Sequence, residues 1–387
     1  MRPRERLLTV LRGGIPDCVP VAPDFSNMIP AKLTGKPFWD LYLYNDPPIW
    51  EAYIACAKYF GIDSVMDGYF PLAFPDEIAA SADDEGWEEY IVFRSAERIV
   101  TQAGRRPAGH QENGRWRLAW QETVDVYYVA DPPTRRVPPA KIGLPPVPDR
   151  WEPVEGRKPV DKGPEGLKRV KALMGDQGVV GVFVAGTAAL GNTEDIYRYY
   201  DNPDKHQEWA EERIEKAVTR FNRVMALDVK PDFLCVGGSG TLVFQTPKIF
   251  RQLALPAVKK VIELADAAGM MTHIHSCGPE RTLVRIMAEE TALTVIDPLE
   301  IRPMGDCDLA EIKRLWGRKL TLKGNLHTTQ TMLMGTPDDV ISASRKAIDD
   351  AADGGRFILS TGDQCGRDTP FENLRAMIEI ARTYGRY

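Results

Sequence analysis

The chain has 387 residues, 43% hydrophobic and 27% charged, ordinary values for a globular protein with enough apolar surface for a sizeable core. Its net charge of -6 excludes the clustered positive surface that nucleic acid or an anionic membrane requires. Six cysteines without a Cys-x-x-Cys pair exclude a disulfide framework. The first residues lack the apolar core of a signal peptide, and no apolar run approaches about 18 residues, so a cytoplasmic location without a membrane span is expected.

In chain order, residues 4–12 have the spacing of a short amphipathic helix, and 18–22 form a first strand stopped at Pro23-Asp24. A helix over 48–60 ends at Gly61, and a second strand at 63–66 leads into Asp67-Gly68. The stretch 88–130 reads differently. Segments 90–93, 98–101, 115–118 and 124–128 resemble short antiparallel strands, with Asn113-Gly114 as a hairpin-type turn, and a Pro-rich linker runs to 148. Residues 88–150 are therefore expected as an insertion in a single domain spanning 1–387.

The strand-then-helix rhythm resumes with a strand at 178–183 and helices near 192–200 and 205–227. Strands at 232–236, 271–275, 293–296, 319–322 and 356–360 follow. Helices from 247 to 268, after Pro279, over 308–316, from Thr336-Pro337 and from Pro370 separate or follow them. Eight alternating strands are the number that a closed (β/α)8 TIM barrel needs, whereas open doubly wound sheets usually have about five or six. Gly237-Gly-Ser-Gly240 lacks the spacing of a dinucleotide fingerprint, although its backbone could cradle an anion.

In such a barrel the chemistry gathers beyond the C-terminal strand ends. Those positions here are Asp24, Asp67, His275 with Cys277, Asp297 with Glu300, Asn325 with His327, and Asp363 with Cys365. His275-x-Cys277 is a compact two-ligand fragment, and Cys365 could add a third from a neighbouring loop. Thiolate and imidazole suit zinc, and three protein ligands with an open position suit catalysis. On the pair alone, a hydrogen-bonded core histidine beside a buried thiol is the commoner explanation, and the third thiol on the same rim shifts the balance toward a metal. Asp24 and Asp67 are candidate acids or bases, or helix caps. Glu300 or Asp297 could complete a metal shell, His273 fits packing within the barrel, and His327 fits a loop or a supporting contact.

Several stretches together resemble the uroporphyrinogen decarboxylase superfamily. They are Arg4-Glu-Arg-Leu-Leu with Gly14-Ile-Pro-Asp-Cys-Val-Pro, His275-Ser-Cys-Gly278, Leu322-Lys-Gly-Asn-Leu326, Gly335-Thr-Pro-Asp-Asp-Val340, and Ser360-Thr-Gly with Thr369-Pro-Phe-Glu-Asn373. The resemblance covers nearly the whole chain outside 88–150. True decarboxylases of that superfamily carry an arginine-rich motif at the first strand that grips substrate carboxylates. Asp24-Phe-Ser-Asn-Met28 has no arginine there, which disfavours a polyacid substrate.

The other branch comprises zinc methyltransferases of corrinoid systems, and His275, Cys277 and Cys365 resemble its metal-holding set. Ile29-Pro-Ala-Lys-Leu-Thr-Gly-Lys-Pro-Phe-Trp39 and Ser360-Thr-Gly-Asp-Gln-Cys365 resemble the methyltransferase components of bacterial O-demethylases. One departure is that Asp363 stands where the thiol-activating members place a cysteine, so Asp363 and Cys365 are both candidate ligands. The resemblance implies zinc on the enzyme, a methoxylated aromatic as methyl donor, and a cobalamin (corrinoid) protein as partner, and it allows a homodimer. Asp67 or Asp24 would protonate the ether oxygen. Phe25, Tyr69 and Asn325 would contact the substrate, with Trp39, Tyr42, Tyr44, Trp50 and Phe70 as further aromatic walls. The rivals are transfer from methyl-corrinoid to a thiol or pterin, a metal-free uroporphyrinogen-type decarboxylase, and a non-catalytic binding barrel.

Overall fold

A computed structural model describes residues 1–77, 86–105, 111–112, 115–116 and 118–387. The chain divides into two compact units, Met1–Ser26 with Ala57–Leu72 and Leu167–Tyr387, and Asn27–Cys56 with Ala73–Gly166.

The first unit holds seven parallel strands in the order Ser64–Met66, Gly178–Phe183, Phe233–Cys235, Met271–His275, Val295–Asp297, Thr321–Leu326 and Phe357–Thr361. Each follows its neighbour through a helix, as parallel pairing requires. Residues 18–22 supply the eighth stave. Val21 bridges Leu359 in parallel, Ala22 N donates to Leu359 O at 2.9 Å, and Asp63 N donates to Val21 O at 2.9 Å. Asp63 strengthens this seam, since its Oδ2 accepts from Val21 N at 2.8 Å and its Oδ1 from Arg6 at 2.6 Å. The eight expected strands are thus all present and the sheet closes as a TIM-type barrel.

The bottom of the barrel is stoppered by the expected N-terminal helix, Pro3–Leu11. Its Leu7, Val10 and Leu11 pack against inward residues Val65, Val179, Phe233, Cys235, Val295 and Ile358. Burial of this apolar set, about 25 cal/mol per Å² removed from water, is the main force holding the staves together. Helix starts follow the local chemistry. Thr336 caps Pro337–Ala351 in a reciprocal pair with Asp339, and Asp308 caps Leu309–Trp316 by accepting from Glu311 N.

One boundary differs in a way that bears on function. The strand expected at 319–322 is Thr321–Leu326, buried at every residue, so Lys323 and Asn325 lie inside it. Gly324 permits this, because a Cβ there would sit 2.2 Å from Pro298 O.

The second unit contains an antiparallel sheet in the order Thr134–Val137, Ala119–Tyr128, Arg98–Arg105, Glu88–Arg94 and Glu152–Pro153. The strands expected near 90–93, 98–101 and 124–128 are therefore present, and Arg115–Trp116 pairs with Gln111–Glu112. The expected turn Asn113-Gly114 lies outside the described residues. The Pro-rich stretch does carry short regular pieces, Thr134–Val137 and the turn Pro139–Ile142. Trp39, Tyr42 and Tyr44 pack around Leu43, Ile91, Ile99 and Tyr127, making them core of this unit. Among the described residues no helix is long and apolar enough to cross a membrane.

Candidate metal centre at the barrel mouth

The strand Met271–His275 alternates its side chains, so His273 and His275 share its inward face. Both reach Asp297 on the next strand, where His275 and Asp297 are register partners. Asp297 Oδ1 lies 2.9 Å from His273 Nε2 and 3.2 Å from His275 Nδ1, and its Oδ2 accepts from the Lys323 ammonium. Asp297 is fully buried, which by itself would raise its pKa. Lys323 and the two histidines outweigh burial and hold the carboxyl well below the usual range.

This arrangement sets the chemistry of His275. Nδ1 faces the ionised carboxylate, which leaves Nε2 as the ring atom that a metal would take on displacing its proton. Nε2 is buried without a hydrogen bond and lies 3.5 Å from Asp363 Oδ1. Burial opposes a charged ring, yet Asp297, with Asp363 and Cys277 adding to it, raises the His275 pKa well above the ordinary value. Metal-capable atoms of Asp24, His275 and Asp363 all lie within 4.8 Å of one another, as do those of Cys277, Glu300 and Asp363. Asp363 belongs to both groups. It also holds a backbone φ of 131°, a strained value for a non-glycine residue of the kind found at functional sites.

The intervening residues fix the segment 275–277. Ser276 N donates to Asp297 O at 2.7 Å, and Ser276 Oγ donates to Glu280 Oε1 at 2.8 Å. Glu280 also receives Leu242 N at 2.8 Å, which ties the loop beyond the fourth barrel strand to the same spot. The amides of Gly238, Thr241 and Leu242 are thereby engaged by Thr187, Ser276 and Glu280, leaving them unavailable for an anion.

Of the residues expected to act, His275, Cys277, Glu300, Asp363, Asp24 and Asp67 are brought together. Asp67 lies 3.8 Å from His273 Nε2 and in a group with His275 and Asp297. Burial, reinforced by the charge of Asp67, raises the Asp24 pKa despite Lys323. Tyr69 approaches this acid, its hydroxyl 3.4 Å from Asp24 Oδ1.

Three residues are placed otherwise. Cys365 is 0% exposed and joins none of the metal-capable groups among the described residues. Its amide donates to Asp24 O at 2.8 Å, and burial pushes the thiol pKa up to about 12. Phe25 is core, fully buried with its ring 5.2 Å from Phe60, which removes it as a substrate wall. Asn325 is 7% exposed and donates to Leu299 O at 3.2 Å, joining strand to loop. His327 caps the turn after its strand, Nδ1 accepting from Thr329 N and Gln330 N at 3.1 Å each. Lys323 and Glu280 were not singled out by sequence. A lysine inside the run Thr321-Leu-Lys-Gly was the available signal, since lysine is almost never fully buried unless paired.

Residues 199–384 match the family model for uroporphyrinogen decarboxylase (URO-D). The methylcobamide:CoM methyltransferase MtbA of Methanosarcina mazei is 27% identical over 139 residues, 35% of this chain and 37% of that protein. The methylcobamide:CoM methyltransferase MtaA of Methanosarcina barkeri is 28% identical over 141 residues, 36% and 38% of the two. The matched stretch thus spans well under half the length of these curated relatives. A solved methyltransferase structure from Methanosarcina mazei superposes with a TM-score of 0.62 over 99% of both chains at 16% identity, a likeness of fold. Residues 199–384 are thus similar to the URO-D family, and the relatives that match are named as methylcobamide:CoM methyltransferases.

Proposed function

We propose that this chain is a zinc-dependent methyltransferase that takes a methyl group from a methoxylated aromatic compound and delivers it to the Co(I) corrinoid of a partner protein. The observation that carries the reading is the buried Nε2 of His275, its ring held through Nδ1 by Asp297, lying 3.5 Å from Asp363, which itself groups with Cys277 and Glu300. An imidazole lone pair, a thiol and two carboxylates match the donor types zinc accepts. His275, Cys277, Asp363 and Glu300 would hold the ion, with Asp363 rather than Cys365 as the ligand from the last strand.

When bound there, zinc supplies Lewis acidity toward an ether oxygen. The chain's own residues do the rest. Asp24, with its raised pKa, can hold a proton beside His275 and Asp363 for the departing phenolate oxygen. Its Oδ1 accepts from Ser26 N at 2.8 Å, which leaves Oδ2 as the oxygen to carry that proton. Asp67 adds to burial in raising the Asp24 pKa, and Tyr69 approaches its Oδ1. An oxygen donor at 363 in place of a second thiolate favours activation of a hard ether oxygen over a soft thiol.

The relatives' names favour a second reading, methyl transfer from a methyl-corrinoid to a thiol. One assay separates the two. The protein is mixed with zinc, a Co(I) corrinoid protein and a methoxylated aromatic, and demethylated phenol and methylated corrinoid are followed together. Both products should appear, and neither with Cys277→Ala. Full activity in zinc-free protein would remove the metal reading. Thiol methylation from a methylated corrinoid, without ether cleavage, would establish the second.

A further inference from the structure

We infer that Lys323 is a positioning residue for the metal centre, acting through Asp297 to fix the His275 ring with Nε2 toward Asp363. The inference rests on the zinc reading above and assigns a role to a residue that touches neither the ligand atoms nor the open mouth.

Lys323 is 3% exposed in the middle of a strand buried at every position. A lysine so placed is retained only where its charge is satisfied. The two oxygens of Asp297 have separate partners, Lys323 on Oδ2 and the two imidazoles on Oδ1. Holding Oδ2 fixes the rotation of the carboxylate, and that rotation decides whether Oδ1 lies between His273 and His275. Lys323 has little freedom to move. Gly324 packs its backbone against Pro298 O, where a Cβ would come within 2.2 Å, and this locks the strand against the 297–299 loop. The chain of contacts is therefore ammonium, carboxylate, imidazole, ligand atom. Outer partners of this kind orient ligating histidines, and their loss typically weakens metal binding about 10–100-fold.

The test is zinc affinity by chelator competition in four proteins: the unaltered chain, Asp297→Asn, Lys323→Met, and the double variant. Each single change should weaken binding about 10–100-fold. The double variant should be no weaker than Asp297→Asn, because Lys323 has nothing left to act through. Cobalt(II) loaded in place of zinc gives a second readout, with the same shift of its visible absorption expected in all three variants.

Zinc bound by Lys323→Met as tightly as by the unaltered chain would overturn the inference. So would a double variant weaker than Asp297→Asn by more than about threefold, beyond the ordinary error of additivity. If Lys323→Met alone does not fold, Lys323→Gln takes its place, since it keeps a neutral donor on that side of Asp297; its zinc affinity should still fall about 10-fold, and affinity equal to that of the unaltered chain would overturn the inference. An unaltered chain that binds no zinc overturns the metal reading itself. Zinc binding indifferent to Lys323 overturns this inference alone.

Discussion

The two ends of the barrel treat their acids in opposite ways. At the N-terminal end the carboxylates are matched by cations. Asp232 receives Arg4 at 2.6 Å and Lys171 at 2.8 Å, while Asp63 receives Arg6 at 2.6 Å and Arg382 at 2.7 Å. At the C-terminal end Asp24, Asp67, Asp297, Glu300 and Asp363 gather around one lysine, Lys323, and two histidines that keep unpartnered ring nitrogens. The balanced end closes the barrel. The unbalanced end holds a surplus of negative charge and lone pairs that a bound cation would relieve. Charge pairing by itself therefore says little about function, and its local failure says more.

Substitutions at the two ends should break this contrast in different currencies. The largest effect belongs to the balanced end. Asp63→Ala strips a buried carboxylate from Arg6, Arg382 and Val21 N, although Arg6 keeps Asp17, and should cost about 3–5 kcal/mol, read as a fall in the urea midpoint, with zinc affinity unchanged. At the mouth, Asp363→Ala should weaken zinc about 100-fold, equal to about 2.7 kcal/mol of binding. The metal-free protein should lose no stability, because an acid has been removed from a surplus. Cys365→Ala should do the reverse, costing about 1 kcal/mol of stability by calorimetry and leaving zinc affinity unaltered.

The smallest effect is a pH dependence. Burial pushes the Asp232 pKa up, but Arg4 and Lys171 outweigh it and hold the carboxyl below its ordinary value of 3.8. A pKa lower folded than unfolded means that the group stabilises the fold above the unfolded value. That contribution is lost as pH falls through the folded one. Unfolding followed between pH 6 and pH 3 should show the loss, and Asp232→Asn should flatten it.

The eight strands were legible because each buried run is short, apolar and bounded by glycine or proline, and because helices with clear caps separate them. The clustering of His275, Cys277, Glu300 and Asp363 was legible from one rule, that they all follow strand ends. What could not be read was which way each side chain turns once its strand has stopped. Asp363 and Cys365 differ by two residues, so on a continuing strand they would share a face. The strand ends at Thr361, and Gly362 with the strained Asp363 breaks the alternation, presenting the aspartate and burying the thiol. Lys323 was missed because the strand runs four residues beyond its expected end. Phe25 failed as a substrate wall because an aromatic residue near a strand end serves a core as readily as a pocket.

The central claim is that the mouth binds zinc with one sulfur ligand. X-ray absorption at the zinc edge of the loaded protein counts sulfur neighbours directly, since Zn–S lies near 2.3 Å and Zn–N or Zn–O near 2.0–2.2 Å. One sulfur, lost in Cys277→Ala and kept in Cys365→Ala, is the predicted result. Two sulfurs, or a shell that changes with Cys365, would contradict it.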